Sequence, residues 1–344
     1  MLAPVVTFVL TLLSGTGYTA MSVLNVIQEV AKQNGIRPSQ PLTGAVIASQ
    51  VAITASPISA ATAAMWVVVE TMGVSFGQAL CVLIPAAFFA SAIAALISSF
   101  QGVELDKDPI FKERLAKGLV SMSSAKDAEK ELPKGAKASV VIFLLSVVFI
   151  VCMLLFKKVI GHTLGSRDII VMTMLMAGLI MVWVCKVPLN QIKKASLFCG
   201  GYESLIVILG IVWLSSTIIM PYIPEIKLQA TELLTQYPYL LAGAFFCVSA
   251  LLFSQGSTSA LLVPVAASLG CDASTILASF VACSALYITN VYPTSAFAIS
   301  TDDTGSFMGK WSGSWVINHP FFLPGLVGLI AAVPFGFLMA KLVI

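Results

Sequence analysis

The sequence predicts an all-α polytopic membrane protein, and three observations support that fold class. Of the 344 residues, 58% are hydrophobic and only 10% are charged, and the mean hydropathy is +0.97, whereas soluble domains carry roughly 25% charged residues. Uncharged stretches long enough to cross about 30 Å of hydrocarbon recur along the chain. Finally, a pair of polar, kinked signatures occurs twice, 240 residues apart. Such duplicated breaks are typical of secondary transporters.

Seven uncharged stretches are interpreted as membrane-spanning helices, and two further apolar segments as something shorter. The spans are 42–69, 78–99, 138–156, 169–185, 204–220, 273–300 and 320–340. The segments 1–30 and 237–270 are each split by a polar tip. The second arm of the latter, 258–270, would be about 20 Å of helix, which is too short to cross. Both segments are therefore predicted to be re-entrant helical hairpins that enter and leave on one side.

Two of the spans contain a helix break. The span 42–69 has Ser56 and Pro57 at its middle, and 273–300 has Asn290, Tyr292 and Pro293 at the corresponding point. Proline removes a backbone donor and biases the preceding residue away from helix. Lipid offers no hydrogen bonds, so broken backbone must be buried in protein or line a wet cavity.

The order of these elements predicts two inverted repeats, of which the first is incomplete. The second half contains three spans, a hairpin, a broken span and a closing span, whereas the first half begins at its hairpin. We expect residues 1–100 to form a partial first repeat, 101–137 a cytoplasmic linker, and 138–344 a complete second repeat. By this symmetry the chain lacks three front spans, roughly 90–100 residues at about 20 per span.

The placement of Lys and Arg orients the chain, because cytoplasmic loops carry more of them. With the loop 101–137 in the cytoplasm, fourteen basic residues fall on that side and five on the other. Within this loop, Asp108 and Pro109 predict a helix start, as an N-cap followed by proline at the first helical position. A solvated linker is the simpler interpretation of the loop, and a regulatory docking site is the alternative.

Uncharged polar groups dominate the predicted site, because the predicted spans contain no Lys, Arg, Asp or Glu. The tip glycines Gly15, Gly17 and Gly256 are expected to permit tight turns and close backbone approach. Together with hydroxyls, amides and helix N-termini, they suit a small anion such as a carboxylate. A lone Ser-Pro kink or a small-residue tip is usually structural, but finding both twice in the same order favours a substrate site. The candidate substrate-binding residues are Ser14, Gly15, Thr16, Gly17, Thr54, Ser56, Pro57, Ser254, Gln255, Gly256, Ser257, Asn290, Tyr292, Pro293 and Thr294.

Other function classes find little support in the sequence. A net charge of +3 offers no basic surface for nucleic acid. The seven cysteines show no CxxC spacing, so neither a metal site nor a disulfide is expected. No HExxH, GxSxG or P-loop motif occurs, so an enzyme is not expected, and no cofactor is implied.

Several motifs also carry a family resemblance. They are Leu13-Ser14-Gly15-Thr16-Gly17, Asn34-Gly35-Ile36-Arg37-Pro38, Ile53-Thr54-Ala55-Ser56-Pro57, Val263-Pro264-Val265-Ala266, Tyr292-Pro293 and Val316-Ile317-Asn318-His319. Over essentially its whole length the chain resembles the anaerobic C4-dicarboxylate transporter (Dcu) family of bacteria. The resemblance implies an inner-membrane carrier that exchanges fumarate, malate or aspartate for succinate by alternating access during anaerobic growth.

The resemblance leaves other properties open. The implied partners are C4-dicarboxylates and membrane lipid, and a homodimer is suggested by analogy of architecture. Whether sodium or protons are coupled is open, as are the preferred dicarboxylate and the direction of flux. The alternative to a carrier is a truncated, non-transporting membrane protein of carrier origin with an interaction or sensory role.

Overall fold

A computed structural model describes residues 2–120, 135–155, 166–193, 240–290, 292–307 and 320–344, with isolated residues between 214 and 237. These residues form helices and turns, and none of them is in a strand. The predicted span 204–220, the linker residues 121–134 and the motif at 316–319 lie wholly or mainly outside the described residues. The chain divides into two compact units, Met1–Met122 with Val207–Ile344, and Ser123–Ile206.

The first unit begins with five helices. They are α1 (Leu2–Ser14), α2 (Tyr18–Gln33), α3 (Ser39–Ala55), α4 (Ala60–Val69) and α5 (Phe76–Ser98). A 3₁₀ turn at Glu70–Met72 ends α4, where Gly73 takes a left-handed φ of 86°. Helix α5 begins with a capping box, because Ser75 and Gln78 bond each other's backbone N–H groups.

A short helix, α6 (Pro109–Ala116), follows a 3₁₀ turn at Leu105–Lys107. Asp108 is its N-cap and accepts a hydrogen bond from the Ile110 N–H at 2.9 Å, with Pro109 in the first turn as predicted. Leu105 and Phe111 are buried in a small apolar cluster. This part of the predicted linker therefore contains a helix and a small apolar cluster of its own.

An ionic cluster fastens α2, α3 and α6 to the loop that follows the last broken helix. The Lys32 side chain, 1% exposed, pairs with Asp303 at 3.1 Å. Arg37 pairs with Asp108, and the Arg114 Nε donates to the Asp303 carbonyl at 2.8 Å. These residues are distant in sequence, and their ion pairs and hydrogen bonds satisfy charges that would be costly to bury alone.

The second unit contains α7 (Ala136–Leu155), α8 (Ser166–Val184) and a short α9 (Leu189–Ile192). Helices α7 and α8 contact each other. The Cys185 thiol donates to the Gly135 carbonyl at 3.4 Å, which ties the end of α8 to the start of α7.

The first unit continues with α10 (Leu241–Leu252), α11 (Gln255–Ser268), α12 (Ala273–Phe280), α13 (Pro293–Thr301) and α14 (Phe322–Val343). A 3₁₀ segment, Val281–Ile288, extends α12, and the whole bends by 49° before α13. Within the described part of the chain, Ser39–Met72, Phe76–Ser98 and Phe322–Val343 are long and apolar enough to span a membrane, and the bent pair would make a fourth span.

Small residues let the long helices of the first unit pack closely. A Cβ at Gly328 of α14 would lie 2.7 Å from the Ala90 carbonyl oxygen of α5. A Cβ at Gly44 of α3 would lie 2.8 Å from the Cγ of Pro4 in α1. Apolar side chains gain little by leaving lipid, so close van der Waals packing supplies much of helix association in a membrane. This packing holds α1, α3, α5 and α14 together beside the two helix breaks.

Candidate functional site

The first tip, between α1 and α2, is a tight turn that only glycine suits at one position. Gly15 has a φ of 73°, and a Cβ there would lie 2.8 Å from the Ile58 Cγ1. Its N–H donates to the Thr11 carbonyl at 2.8 Å and closes the end of α1. The Ser14 hydroxyl donates to the Thr16 carbonyl at 3.2 Å, and this hydrogen bond stabilises the turn.

The first break separates α3 from α4 where the sequence predicted it. Ser56 is extended, with ψ of 126°, and Pro57 follows it. The Ser56 hydroxyl donates to the Leu12 carbonyl of α1 at 2.7 Å, so the break is tied to the end of α1. Ser59 caps α4 by accepting from the Thr62 N–H at 3.1 Å. Hydrogen bonds of two serine hydroxyls therefore hold the break on both sides.

The second tip, between α10 and α11, uses a different residue for its turn from the one expected. Phe253 takes the left-handed conformation, with φ of 50°. Gly256, to which the sequence assigned the tight turn, instead lies in the first turn of α11. There its position permits close approach, because a Cβ would lie 3.6 Å from that of Ala60. Ser254 caps α11 by accepting from the Ser257 N–H at 3.1 Å.

The second break lies between the 3₁₀ segment and α13. Thr289 and Tyr292 are both extended, and Pro293 begins α13. Thr294 is buried, with its hydroxyl accepting from the Gln50 Nε2 at 3.0 Å. The break of the second broken helix is thus bonded to the middle of the first.

The two tips, the start of α4 and Tyr292 at the second break line one cavity of about 210 Å³. Its lining residues are Gly15, Thr16, Gly17, Tyr18, Ile53, Ala60, Ala61, Phe253, Ser254, Gln255, Gly256, Leu286 and Tyr292. The other predicted site residues do not line it: they are Ser14, Thr54, Ser56, Pro57, Ser257, Asn290, Pro293 and Thr294. Several of these hold the turns, and Thr54 is buried with its hydroxyl on the Val51 carbonyl at 2.7 Å.

Aromatic residues form one wall of the cavity, and the sequence analysis selected Tyr292 but neither Tyr18 nor Phe253. The rings of Phe253 and Tyr292 are stacked, with centroids 6.5 Å apart and planes 6° apart. Tyr18 lines the cavity together with them. The available signal was position, because Tyr18 and Phe253 directly flank the two polar tips.

Helix N-termini converge on this cavity. Helix α2 begins at Tyr18, α4 at Ala60 and α11 at Gln255, and all three residues line the cavity. The N-cap of α13, Tyr292, lines it as well. Each N-terminus carries a partial positive charge and N–H groups that are free of intrahelical bonds. No Lys, Arg, Asp or Glu is among the lining residues that the structure describes, where helix ends, backbone and hydroxyls provide the polarity.

Two buried glutamines connect the elements around the cavity. The Gln255 Nε2 donates to the Gln50 carbonyl of α3 at 2.9 Å. The Ser259 hydroxyl of α11 donates to the Ala61 carbonyl of α4 at 2.9 Å. Gln50 itself is fully buried and was missed by the sequence analysis, because a single amide within an apolar helix gives no local signal. The arrangement can bind a small anion in a site shaped by four helix ends.

Comparison with known proteins identifies the family. The family model described as anaerobic C4-dicarboxylate membrane transporter matches residues 1–344. The C4-dicarboxylate transporter DcuA of Wolinella succinogenes is 40% identical over 348 residues, which cover 100% of this chain and 79% of that protein. DcuA of Escherichia coli K12 is 40% identical over 346 residues, covering 99% of this chain and 79% of that protein.

A more distant relative gives the same indication. The anaerobic C4-dicarboxylate transporter DcuB of Escherichia coli O6:H1 is 31% identical over 354 residues, covering 99% of this chain and 78% of that protein. No solved structure gives a significant match. With a family model that spans every residue and relatives at 40% identity, the chain belongs to the anaerobic C4-dicarboxylate membrane transporter family.

Proposed function

We propose that this protein is a secondary transporter of the bacterial inner membrane that exchanges C4-dicarboxylates, with fumarate, malate or aspartate moving against succinate by alternating access. It is a multi-pass carrier rather than an enzyme, as its relatives' names indicate. The non-transporting alternative is not favoured, because the matched relatives are named as transporters.

One observation carries the proposal: four helix N-termini meet at a cavity of about 210 Å³ whose described lining residues carry no charge. N–H groups and aligned peptide dipoles at helix starts favour an anion without any cationic side chain. A dicarboxylate has a negative group at each end, and the two tips supply N-termini from two separate helix pairs. The hydroxyls of Thr16 and Ser254 would then bond the carboxylate oxygens, one from each tip.

The lengths of the short helices support the two re-entrant hairpins of the proposed inverted repeats. Helix α1 has 13 residues and α10 has 12. At 1.5 Å per residue each is about 20 Å long or less, short of the roughly 30 Å hydrocarbon core. We therefore assign α1–α2 and α10–α11 as re-entrant pairs that enter from opposite sides, with their tips meeting at the substrate.

Exchange in proteoliposomes tests this function. Vesicles loaded with succinate should take up labelled fumarate, and vesicles without internal dicarboxylate should not. Ser254→Ala removes the cap of α11 and a cavity hydroxyl, and we expect it to reduce exchange about tenfold, the effect of roughly 1.4 kcal/mol of lost hydrogen bonding. Ser268→Ala is the matched control, because Ser268 lies exposed at the other end of the same helix.

Two outcomes would contradict the proposal. Folded protein that shows no fumarate uptake with internal succinate would exclude exchange of these substrates. Equal rates for Ser254→Ala and the wild type would remove the second tip from the binding site.

A further inference from the structure

Phe253 has a backbone conformation that suits glycine. It directly follows α10 and has a φ of 50° and a ψ of 29°, in the left-handed region where a bulky side chain is rare. At the first tip, the residue that directly follows α1 is also left-handed, and there it is Gly15, with a φ of 73°. Glycine commonly occupies this position after a helix. The second tip therefore carries an aromatic side chain at a position where glycine would be less strained.

The ring of Phe253 lies at the wall of the cavity. Phe253 is half-buried, and both Phe253 and Tyr292 are among the lining residues. Residues in unfavourable backbone conformations cluster at ligand sites, where the surrounding structure holds them in place. The strained turn thus places an aromatic ring at the cavity to which we assign the substrate.

The rings of Phe253 and Tyr292 lie in parallel planes but do not fully cover each other. Their planes are 6° apart and their centroids 6.5 Å apart. Rings in full face-to-face contact would have centroids about 3.5–4 Å apart, so these two are either displaced sideways or separated by a gap. In both arrangements, a flat molecule that lies parallel to one ring is also parallel to the other. The pair is therefore suited to contact with a planar group.

The proposed substrates differ in the shape of the carbon chain that would contact these rings. The face of an aromatic ring is electrically negative, so carboxylates avoid it. With the carboxylates at the helix N-termini, the central carbons lie against the rings. Fumarate is planar there, because its double bond is conjugated with both carboxyl groups, whereas succinate has two tetrahedral carbons. A planar chain makes closer van der Waals contact with a flat ring than a tetrahedral one.

We propose that Phe253 is a specificity-determining residue whose ring, together with that of Tyr292, contacts the carbon chain of the substrate and favours planar, unsaturated C4-dicarboxylates over saturated ones. The inference rests on the proposed function of the same cavity and names the substrate feature that its aromatic wall recognises. The helix ends bind the carboxylates, which these anions share, and the rings distinguish the chains that join them.

The test measures dissociation constants of fumarate and succinate by calorimetry on the purified full-length protein. The readout is the ratio of the succinate constant to the fumarate constant, which does not depend on the folded fraction of a sample. Phe253→Leu keeps an apolar side chain at the same strained position and removes the flat ring. We expect the ratio to fall about threefold to tenfold, the value of one aromatic contact. Phe253→Tyr retains the ring and should retain the ratio.

Two further variants separate the ring from the backbone and from the helix. Phe253→Gly removes the ring and the strain together, and it should lower the ratio as much as Phe253→Leu does. Phe246→Leu is the matched control, because Phe246 is also half-buried and lies in α10 but does not line the cavity. Its ratio should equal that of the wild type, and an equal fall in this control would overturn the assignment to Phe253.

Other results would overturn the inference in distinguishable ways. If Phe253→Leu and Phe253→Gly bind both anions with the wild-type ratio, even at lower affinity, the transport site stands and the specificity role fails. A ratio that falls in Phe253→Tyr as far as in Phe253→Leu would show that the ring is not what distinguishes the anions. Binding of neither anion by folded wild-type protein would remove the proposed function itself.

Discussion

Gly17→Ala provides a sharp test of the close contact between the first tip and the first broken helix. Gly17 has a φ of −67°, which alanine adopts freely, so the substitution introduces no backbone strain. The added Cβ would lie 2.5 Å from the Gln50 Nε2 and 3.4 Å from its Cδ. To restore an ordinary contact of 3.4 Å the amide nitrogen must retreat by about 0.9 Å. Gln50 is fully buried and bonded to Thr294, so it has no free direction in which to move.

The magnitude follows from two contributions. Overpacking a filled interior costs about 1–3 kcal/mol, and weakening the bond to Thr294 adds about 1 kcal/mol. We expect Gly17→Ala to lower the free energy of unfolding by about 2–4 kcal/mol and to weaken fumarate binding. Chemical denaturation in detergent and calorimetric binding measure the two effects.

Gly256→Ala at the other tip is the matched control. Its Cβ would lie 3.6 Å from that of Ala60, an ordinary van der Waals contact. Alanine in the first turn of a helix is favourable relative to glycine by up to about 1 kcal/mol. Stability should therefore be unchanged or slightly higher. If Gly17→Ala proved as stable and as tight in binding as the wild type, the contact between Gly17 and Gln50 would not exist as described.

Three further predictions concern stability, measured by denaturation of the purified protein. Lys32→Met leaves two partly exposed carboxylates without their buried partner and should destabilise by about 1–3 kcal/mol, whereas Lys107→Met removes an exposed pair and should leave stability unchanged. Gly325→Ala places a Cβ 2.0 Å from a fully buried tyrosine ring and should cost about 2 kcal/mol or more, unlike Gly243→Ala, whose Cβ meets nothing within 4 Å. Ser259→Ala removes a buried bond from α11 to α4 and should cost about 1 kcal/mol, and no loss would show that this bond does not hold the second pair.

Local chemistry made the breaks and caps predictable. Pro57 cannot donate to a helix and stands within an uncharged stretch too long for one span, so the end of α3 at Ala55 follows from the sequence. Asp108 and Pro109 form a cap and first turn by rules that depend only on neighbouring residues. The polar tips were recognisable because short apolar arms cannot cross a bilayer.

Contacts between distant segments were not predictable in this way. The ion pair of Lys32 with Asp303 joins residues 271 positions apart, and the local sequence around either residue does not indicate its partner. Gln50 is bonded to partners 205 and 244 positions away for the same reason. The turn at Phe253 was assigned to Gly256 because glycine is the usual residue at positive φ, and a bulky residue there departs from that preference.

The bonds from Ser56 to α1, from Ala61 to α11 and from Gln50 to α13 all originate in the first broken helix, α3–α4. The first broken helix therefore connects the helices of both tips and of the second break. A chimera that transplants either helix pair from a relative must bring the matching α3–α4 with it, or the grafted tip will lose its anchor. Substitutions in this helix are accordingly expected to affect both tips at once.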